Sequence, residues 1–172
     1  PEPVREALAG HAVAFARAIG CGSAGTAELL VDGDEVFFLE LNGRIQVEHP
    51  VTEMITGLDL VEWQLRIAAG EPIAGLAPET AGHAVEVRLY AEDSRTFLPQ
   101  PGRLERLRLP TGIRVYAGVE EGDEVSGSYD PLLAKLVAHG ADRDEALDRL
   151  AATLAATEVG GVRTNLPLLR WL

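Results

Sequence analysis

The chain has 172 residues, of which 47% are hydrophobic and 24% are charged, proportions typical of a globular protein. This length is enough for one sizeable hydrophobic core or for two small ones. The formal net charge of −12 argues against nucleic acid or an anionic membrane surface as the main partner. The sequence has no apolar run near the ~20 residues of a membrane span and no visible signal peptide.

Two rare residue types narrow the possibilities further. Cys21 is the only cysteine, so an internal disulfide is excluded and a reducing cytoplasm is the expected location. Lys135 is the only lysine and a glycine-rich phosphate loop is missing, so the usual means of holding nucleotide phosphates are not in this stretch. Because the sequence begins at Pro1 without a methionine, we expect a fragment of a longer polypeptide.

The first forty residues predict a helix followed by a β-hairpin. Residues 4–19 carry a broad apolar stripe at helical spacing, and Gly20 suits the position just after a helix. Two runs of strand-forming residues, 26–31 and 35–40, flank an Asp-Gly dipeptide that is typical of a hairpin turn.

Residues 38–50 form the most informative stretch of the sequence. In an extended strand, alternate side chains leave opposite faces. One face would be apolar, and we expect it to be buried: Leu39, Leu41, Ile45 and Val47. The other face would carry two carboxylates, a guanidinium and two amides: Glu40, Asn42, Arg44, Gln46 and Glu48. A half-buried strand with one wet face is the simplest interpretation, but Asn and Glu are poor strand formers, which favours a chemical role.

These polar side chains are suited to anion and metal chemistry. Glu40 and Asn42 offer oxygen ligands for a hard cation such as Mg²⁺. Arg44 is a planar donor suited to an oxyanion, and Glu48 beyond it is a candidate general base.

Glu28, on the first hairpin strand, is a candidate second ligand for the same ion. A three-residue turn after Val31 would place Glu28 opposite Phe38 and diagonal to Glu40, near enough to share an ion. A two-residue turn would send the two carboxylates to opposite faces. Shared metal binding therefore predicts a three-residue loop or a bulge in this hairpin.

Two short helices and a loop follow. Thr52 is predicted to cap the first helix, which Gly57 ends, and Asp59 opens the second helix with a capping box. Residues 71–82 are rich in Pro and Gly, so we predict a linker there that follows a first region, 1–70.

Region 83–172 predicts a mainly antiparallel sheet with a helix packed on it. Alternating patterns indicate four strands, at 83–90, 103–109, 113–117 and 132–137. Asp142 is the predicted cap of the helix, with Glu145 completing a capping box, and a last short helix is expected to start at 164–167.

The stretch 40–53 resembles the signature of biotin carboxylase, an ATP-grasp enzyme. It reads Glu-Leu-Asn-Gly-Arg-Ile-Gln-Val-Glu-His-Pro-Val-Thr-Glu, where the usual form is Glu-Met-Asn-Thr-Arg-Leu/Ile-Gln-Val-Glu-His-Pro-Val-Thr-Glu. The likeness continues at 59–72 and 91–102 and covers essentially the whole chain. It implies an α+β fold in which the C-terminal part of an ATP-grasp domain, 1–70, precedes a truncated, mainly antiparallel biotin carboxylase C-terminal domain, 83–172.

The resemblance implies the first half-reaction of an acyl-CoA carboxylase, and with it fatty acid biosynthesis. Bicarbonate would be activated by ATP as carboxyphosphate, and the resulting CO₂ would carboxylate biotin on a carrier domain. The implied cofactors are ATP, Mg²⁺ or Mn²⁺, biotin and bicarbonate. The implied partners are a biotin carboxyl carrier domain, a carboxyltransferase subunit and a second copy in a homodimer of the full-length protein, without nucleic acid or membrane.

The resemblance also assigns metal and bicarbonate sites residue by residue. Glu28 and Glu40 would hold the Mg²⁺ ions that bridge the ATP phosphates, with Asn42 beside them and Glu40 also contacting the nucleotide. The bicarbonate site would be formed by the catalytic guanidinium, an amide and a backbone N–H: Arg44, Gln46 and Val47.

The remaining roles come from the same resemblance. Glu48 would be the base that deprotonates bicarbonate, and Arg114 would stabilise the biotin enolate. Leu30 and Leu39 correspond to apolar positions near the nucleotide.

The sequence departs from the family pattern at several positions. Gly43 replaces the usual Thr and Leu41 the usual Met, and neither change removes a proposed role. Tyr116 stands two positions after the enolate Arg, where an acidic residue is common, and the family's Tyr-Tyr-Asp becomes Ser-Tyr-Asp at 128–130. The last two departures concern the biotin side of the chemistry.

Two alternatives stay open. Another ATP-grasp ligase, of the carbamoyl-phosphate synthetase type, would share carboxyphosphate chemistry, although the match through 46–50 disfavours it. A non-catalytic module that docks a carrier or a subunit is the second alternative, and the intact set from Glu28 to Glu48 opposes it. We expect the chain alone not to turn over ATP.

Overall fold

The computed structural model describes residues 2–33 and 35–172, which divide into two compact units. The first unit holds the residues up to His49 together with Gly57–Pro78, and the second holds Pro50–Thr56 and Glu79–Leu172. Helices and antiparallel strands occur in both, so the α+β prediction is confirmed. Within the described residues, no helix is both long and apolar enough to cross a membrane.

The first unit opens with helix α1 (Glu2–Ala18), where the apolar stripe predicts a helix. Gly20 has a φ of 66°, and the Cys21 N–H donates to the Ala16 carbonyl at 2.9 Å. A residue in this left-handed conformation lets the chain turn back and satisfy the last carbonyls of the helix. The predicted glycine stop is therefore confirmed.

A hairpin and two short helices complete this part of the chain. Strands β1 (Thr26–Asp32) and β2 (Glu35–Asn42) pair antiparallel. Helix α2 (His49–Thr56) and helix α3 (Leu60–Ala68) follow. Helix α3 begins at its predicted cap, because the Asp59 side chain accepts a hydrogen bond at 2.8 Å from the backbone N–H three residues on.

Two predictions for this region are wrong. The extended strand expected to reach residue 48 stops at Asn42, and the chain loops through 43–48. Helix α2 starts at His49, so Thr52 lies inside the helix and does not cap it. Pro50 fits the first turn of α2, where the N–H that proline lacks has no partner in the helix.

The second unit contains seven strands and two complete helices, together with Pro50–Thr56 of α2. In chain order the strands are β3 (His83–Tyr90), β4 (Gly102–Arg103), β5 (Arg106–Arg108), β6 (Arg114–Ala117), β7 (Glu124–Val125), β8 (Leu132–Gly140) and β9 (Glu158–Gly160). The helices are α4 (Arg143–Ala156) and α5 (Leu166–Trp171). Strands β3, β8 and β6 form one antiparallel sheet in that order, while β4 pairs with β7 and β5 with β9.

The strand predicted at 103–109 is the main difference in this unit. It is divided into β4 and β5, which pair with different partners. Strands β7 and β9, of two and three residues, are not predicted. Strands this short show no alternation, and their pairing depends on distant parts of the chain.

The core of the second unit lies between α4 and one face of the three-stranded sheet. Leu89 of β3 and Leu136 of β8 are fully buried, and Leu150 and Leu154 of α4 pack against them in one cluster. Because side chains alternate along a strand, the neighbours of these leucines point to the other face of the sheet. That second face carries Arg88, Arg114 and Lys135 beside the buried Val137.

Helix α4 is fixed at its start by the predicted capping box. The Asp142 side chain accepts a hydrogen bond from the Glu145 N–H at 2.9 Å, and the Glu145 carboxylate accepts one from the Ala141 N–H at 2.6 Å. The Ala141 N–H, together with the Arg149 guanidinium, lowers the pKa of the Glu145 carboxyl. The capping prediction is confirmed.

Candidate active site

The two hairpin carboxylates predicted to share a metal ion lie directly opposite each other. Glu28 pairs with Glu40 across β1 and β2. The Asn42 side chain joins them, because its Nδ2 donates to Glu28 Oε1 at 2.9 Å and to Glu40 Oε1 at 3.1 Å. Both carboxylates therefore converge on one point at the end of the hairpin.

A bulge produces this pairing. Near the turn, Asp32 pairs with Glu35, a register that would separate Glu28 and Glu40 if it continued. The register shifts beyond Leu29, leaving Leu39 as the extra residue of β2. The prediction of a bulge is therefore confirmed, whereas the alternative three-residue loop with Glu28 facing Phe38 is wrong.

Arg44 extends the polar group beyond the strand. Its Nη1 donates to Gln46 Oε1 at 2.8 Å and to the Ile45 carbonyl at 3.3 Å, and its Nη2 donates to Asn42 Oδ1 at 3.4 Å. A continuous series of hydrogen bonds thus runs from the two carboxylates through the amide and the guanidinium to Gln46. The sequence predicts the membership of this group, although a loop assembles its last members.

The loop is held at its far end by the first residue of α2. The His49 N–H donates to the Gln46 carbonyl at 3.3 Å, and His49 Nδ1 lies 2.7 Å from the same oxygen. His49 therefore orients the loop. Val47 is half-buried and Glu48 is exposed immediately before the helix.

The apolar positions of the hairpin differ from expectation. Leu39 is 58% exposed and Leu30 is 53% exposed, so the prediction that Leu39 belongs to a buried face is wrong. The bulge at Leu39 breaks the alternation on which that prediction rests. Both side chains are accessible to a ligand, which is compatible with the expected nucleotide contacts.

The donor set of the hairpin fits a magnesium ion that also binds phosphates. Among residues 2–33 and 35–172, no three His, Cys, Asp or Glu side chains group together as a metal site. Mg²⁺ is commonly held by one or two carboxylates, with water and substrate phosphates completing its octahedron. Two converging carboxylates beside an amide are therefore a suitable, though partial, set.

Arg114, the predicted biotin residue, lies in the second unit on β6. Its Nη2 is 2.6 Å from Glu53 Oε2, and the Glu53 side chain is only 1% exposed. Its guanidinium carbon also lies 4.9 Å from the centre of the Tyr116 ring, and Lys135 Nζ lies 4.5 Å from the same ring. Arg114 is therefore held by an ion pair and by an aromatic face.

Lys135 shares this polar face of the sheet with Arg114. Burial lowers the pKa of the Lys135 ammonium, and the carboxylates of Glu86 and Glu53 oppose that shift. On β8, Lys135 lies opposite Tyr116 of β6 on one side and Arg88 of β3 on the other.

The interpretation of the sequence gives Glu53 no role. The sequence does contain a signal for Glu53, because it is the last residue of the signature match at 40–53. It lies on α2, which has an exposed face and a buried one, and a carboxylate on the buried face needs a partner.

Comparison with known proteins identifies the class. Residues 86–172 match the family described as "Biotin carboxylase C-terminal domain", and residues 1–76 match "Carbamoyl-phosphate synthase L chain, ATP binding domain". The chain belongs to the biotin carboxylase family, whose members are ATP-dependent ligases. The resemblance seen in the sequence is confirmed.

Individual relatives agree with this assignment. The chain is 50% identical to the biotin carboxylase of Halalkalibacterium halodurans, over 98% of the chain and 38% of that protein. It is 49% identical to the mitochondrial methylcrotonoyl-CoA carboxylase subunit alpha of Arabidopsis thaliana, over 99% of the chain and 24% of that subunit. The chain thus spans well under half the length of these curated relatives.

A solved structure agrees over nearly the whole chain. The biotin carboxylase domain dimer of Hydrogenobacter thermophilus 2-oxoglutarate carboxylase, in complex with MgADP, ADP and bicarbonate, is 42% identical. It superposes with a TM-score of 0.92 over 99% of this chain and 39% of that chain. Both the helices and the sheets of the present chain therefore follow those of a biotin carboxylase domain.

Proposed function

We propose that this chain acts as the C-terminal part of a biotin carboxylase, which carboxylates carrier-bound biotin with ATP and bicarbonate. The observation that carries the proposal is the hydrogen-bonded series that runs from Glu28 and Glu40 through Asn42 and Arg44 to Gln46. It combines metal-binding carboxylates with an anion-binding guanidinium, as a reaction between bicarbonate and the terminal phosphate of ATP requires.

In this proposal the hairpin holds the metal end of the reaction. Glu28 and Glu40 provide carboxylate ligands for Mg²⁺ or Mn²⁺, and Asn42 fixes their spacing through its two hydrogen bonds. The bound cation supplies positive charge to the ATP phosphates. Leu30 and Leu39, both exposed on the hairpin, contact the nucleotide.

The loop after the hairpin binds and activates bicarbonate. Arg44 and Gln46 hold the anion together with the Val47 N–H. Glu48 takes the proton of the bicarbonate hydroxyl, whose oxygen then attacks the terminal phosphorus as ADP leaves. The resulting carboxyphosphate breaks down to CO₂ and phosphate. The released phosphate takes the proton of the biotin N–H, Arg114 stabilises the negative charge on the neighbouring biotin oxygen, and the nitrogen forms its new bond to CO₂.

The biological setting follows from the same proposal. We propose a cytoplasmic enzyme that serves an acyl-CoA carboxylase, such as that of fatty acid biosynthesis. Its partners would be a biotin carboxyl carrier domain, a carboxyltransferase subunit and a second copy of the full-length protein. The dimer named for the H. thermophilus domain supports the last of these partners. The chain by itself would not turn over ATP.

The experiment that tests the proposal is a substitution of the base in the full-length protein. ATP cleavage dependent on bicarbonate and biotin is measured for wild type and for Glu48→Gln. Loss of a general base is expected to lower kcat by roughly 10²–10⁴-fold. Glu62→Gln is the matched control, because Glu62 lies in the same unit and forms an exposed ion pair with Arg66.

The other outcomes separate the alternatives. An active protein that is indifferent to Glu48→Gln would remove Glu48 from the mechanism. Carbamoyl-phosphate synthesis without biotin dependence would indicate the related ligase, whose domain description matches residues 1–76. A folded full-length protein with no ATP cleavage would indicate a docking module.

A further inference from the structure

Glu53 is a carboxylate in an unusual position. It is 3% exposed as a residue and lies on α2, the helix that follows the signature loop. A buried carboxylate is costly unless it faces a positive charge. The guanidinium of Arg114 supplies that charge at 2.6 Å.

Arg114 is held on one side and accessible on another. Its side chain is 36% exposed, whereas that of Glu53 is almost completely buried. A guanidinium has five N–H donors, so an ion pair through one nitrogen leaves other donors that can meet a ligand. The burial of Glu53 thus fixes the direction in which Arg114 projects from β6.

Tyr116 contributes a second contact of a different kind. Its ring faces both Arg114 and Lys135, at 4.9 Å and 4.5 Å from the ring centre. An aromatic face attracts a cation without cancelling its charge, whereas an acidic residue at this position would add a second counter-ion. Arg114 is therefore packed in place while part of its charge stays available.

We propose that Glu53 is a positioning residue for biotin carboxylation: it orients Arg114 toward the biotin, with the Tyr116 ring as the second support. The proposal rests on the proposed function for the role of Arg114. It adds that α2, the helix that follows the bicarbonate loop in the chain, carries the carboxylate that orients Arg114. Glu53 itself touches neither substrate.

The test is a double-mutant comparison in the full-length protein, with free biotin as the substrate. Glu53→Gln is expected to lower kcat/KM for biotin by roughly 10²-fold, since small displacements of a reacting group have effects of that size. The KM for ATP and the melting temperature should stay near wild type. In an Arg114→Met background, Glu53→Gln should have no further effect, because the residue that it positions is gone.

One matched variant serves as the control, and a second variant tests the aromatic support of Arg114. Glu158→Gln makes the same change in an exposed ion pair with Arg106, in the same unit, and should leave kcat/KM for biotin unchanged. Tyr116→Leu removes the aromatic face beside Arg114 and should lose part of the biotin-dependent rate. If Glu53→Gln does not fold, Glu53→Asp, which keeps the charge with a shorter reach, is measured in the same way.

The outcomes distinguish this proposal from the proposed function. If Arg114→Met keeps full biotin-dependent activity, the assigned role of Arg114 is wrong and the positioning role falls with it. If Arg114→Met is inactive while Glu53→Gln is normal, only the positioning role is overturned. Glu53 has only a structural role if Glu53→Gln impairs the kinetic constants for biotin and for ATP equally. The same conclusion holds if the effects of Glu53→Gln and Arg114→Met are fully additive in the double mutant.

Discussion

The two units of the chain hold their side chains in place by different means. In the second unit, Leu89, Leu104 and Leu136 have no exposed surface, and they form a core with α4. In the first unit no described residue is buried, and Leu30 and Leu39 are more than half exposed. The polar group of the hairpin and its loop lies in the first unit, so its geometry comes from hydrogen bonds and a bulge instead of a core.

The polar groups repeat this contrast. The carboxylates of the first unit, Glu28 and Glu40, are exposed and are drawn together by one amide. The carboxylate of Glu53, in the second unit, is buried and forms an ion pair with Arg114. Exposed carboxylates can accept a metal ion from solution, whereas a buried one is committed to its partner. The difference in burial thus corresponds to the difference between the two proposed roles, which are binding a ligand and positioning another residue.

The largest expected effect on stability comes from comparing the same substitution, leucine to alanine, in the two units. Leu136→Ala removes a fully buried side chain and should lower the free energy of unfolding by about 2–5 kcal/mol. Leu39→Ala removes an exposed one and should change the unfolding free energy by no more than about 0.5 kcal/mol. Urea denaturation of the chain measures both. Equal effects would show that the hairpin contributes to a common core in solution.

The sequence predicts which elements form, and which polar residues meet at the end of the hairpin, better than it predicts the path of the chain. Helix caps at Asp59 and Asp142 are visible because each depends on residues three positions apart. The sequence does not show that β2 ends at Asn42, because polar and apolar residues continue to alternate after the chain has left the strand. Glu53 receives no role because its partner, Arg114, lies 61 positions away (114 − 53 = 61), a pairing that only the fold creates.

Removal of a helix cap is expected to have a smaller effect than loss of a core leucine. Asp142→Ala deletes the cap of α4, which packs on the core, and should lower the free energy of unfolding by about 1 kcal/mol. Asp59→Ala deletes a cap with a hydrogen bond of nearly the same length from α3, which has no buried residues, and should leave the main urea transition unchanged. A comparable shift of that transition by Asp59→Ala would mean that the two units unfold together.

Charge repulsion in the hairpin gives a test of the metal site. Glu28 and Glu40 face each other directly, so Glu40→Gln should stabilise the hairpin by about 0.2–1 kcal/mol in the absence of divalent cations. Amide hydrogen exchange in β1 and β2 reports this change. Added Mg²⁺ should slow exchange in wild type but not in Glu40→Gln. Glu35→Gln is the control: it relieves the Glu35–Asp32 repulsion at the other end of the hairpin and should keep the Mg²⁺ response.

The smallest effect is expected from Asp93, a half-buried carboxylate of the second unit. Hydrogen bonds from the Arg95 and Thr96 N–H groups, with the Arg163 guanidinium, lower the pKa of Asp93 from 3.8 to about 2. A lowered pKa means that Asp93 stabilises the folded state above its unfolded value of 3.8 and loses this contribution as the pH falls through about 2. Asp93→Asn should therefore lower the melting temperature slightly at neutral pH, by an amount that shrinks between those two pH values. Asp148→Asn, at an exposed position of α4, is the control, and its difference in melting temperature from wild type should not depend on pH in this way. If the difference between Asp93→Asn and wild type stays constant with pH, the charge of Asp93 does not stabilise the turn.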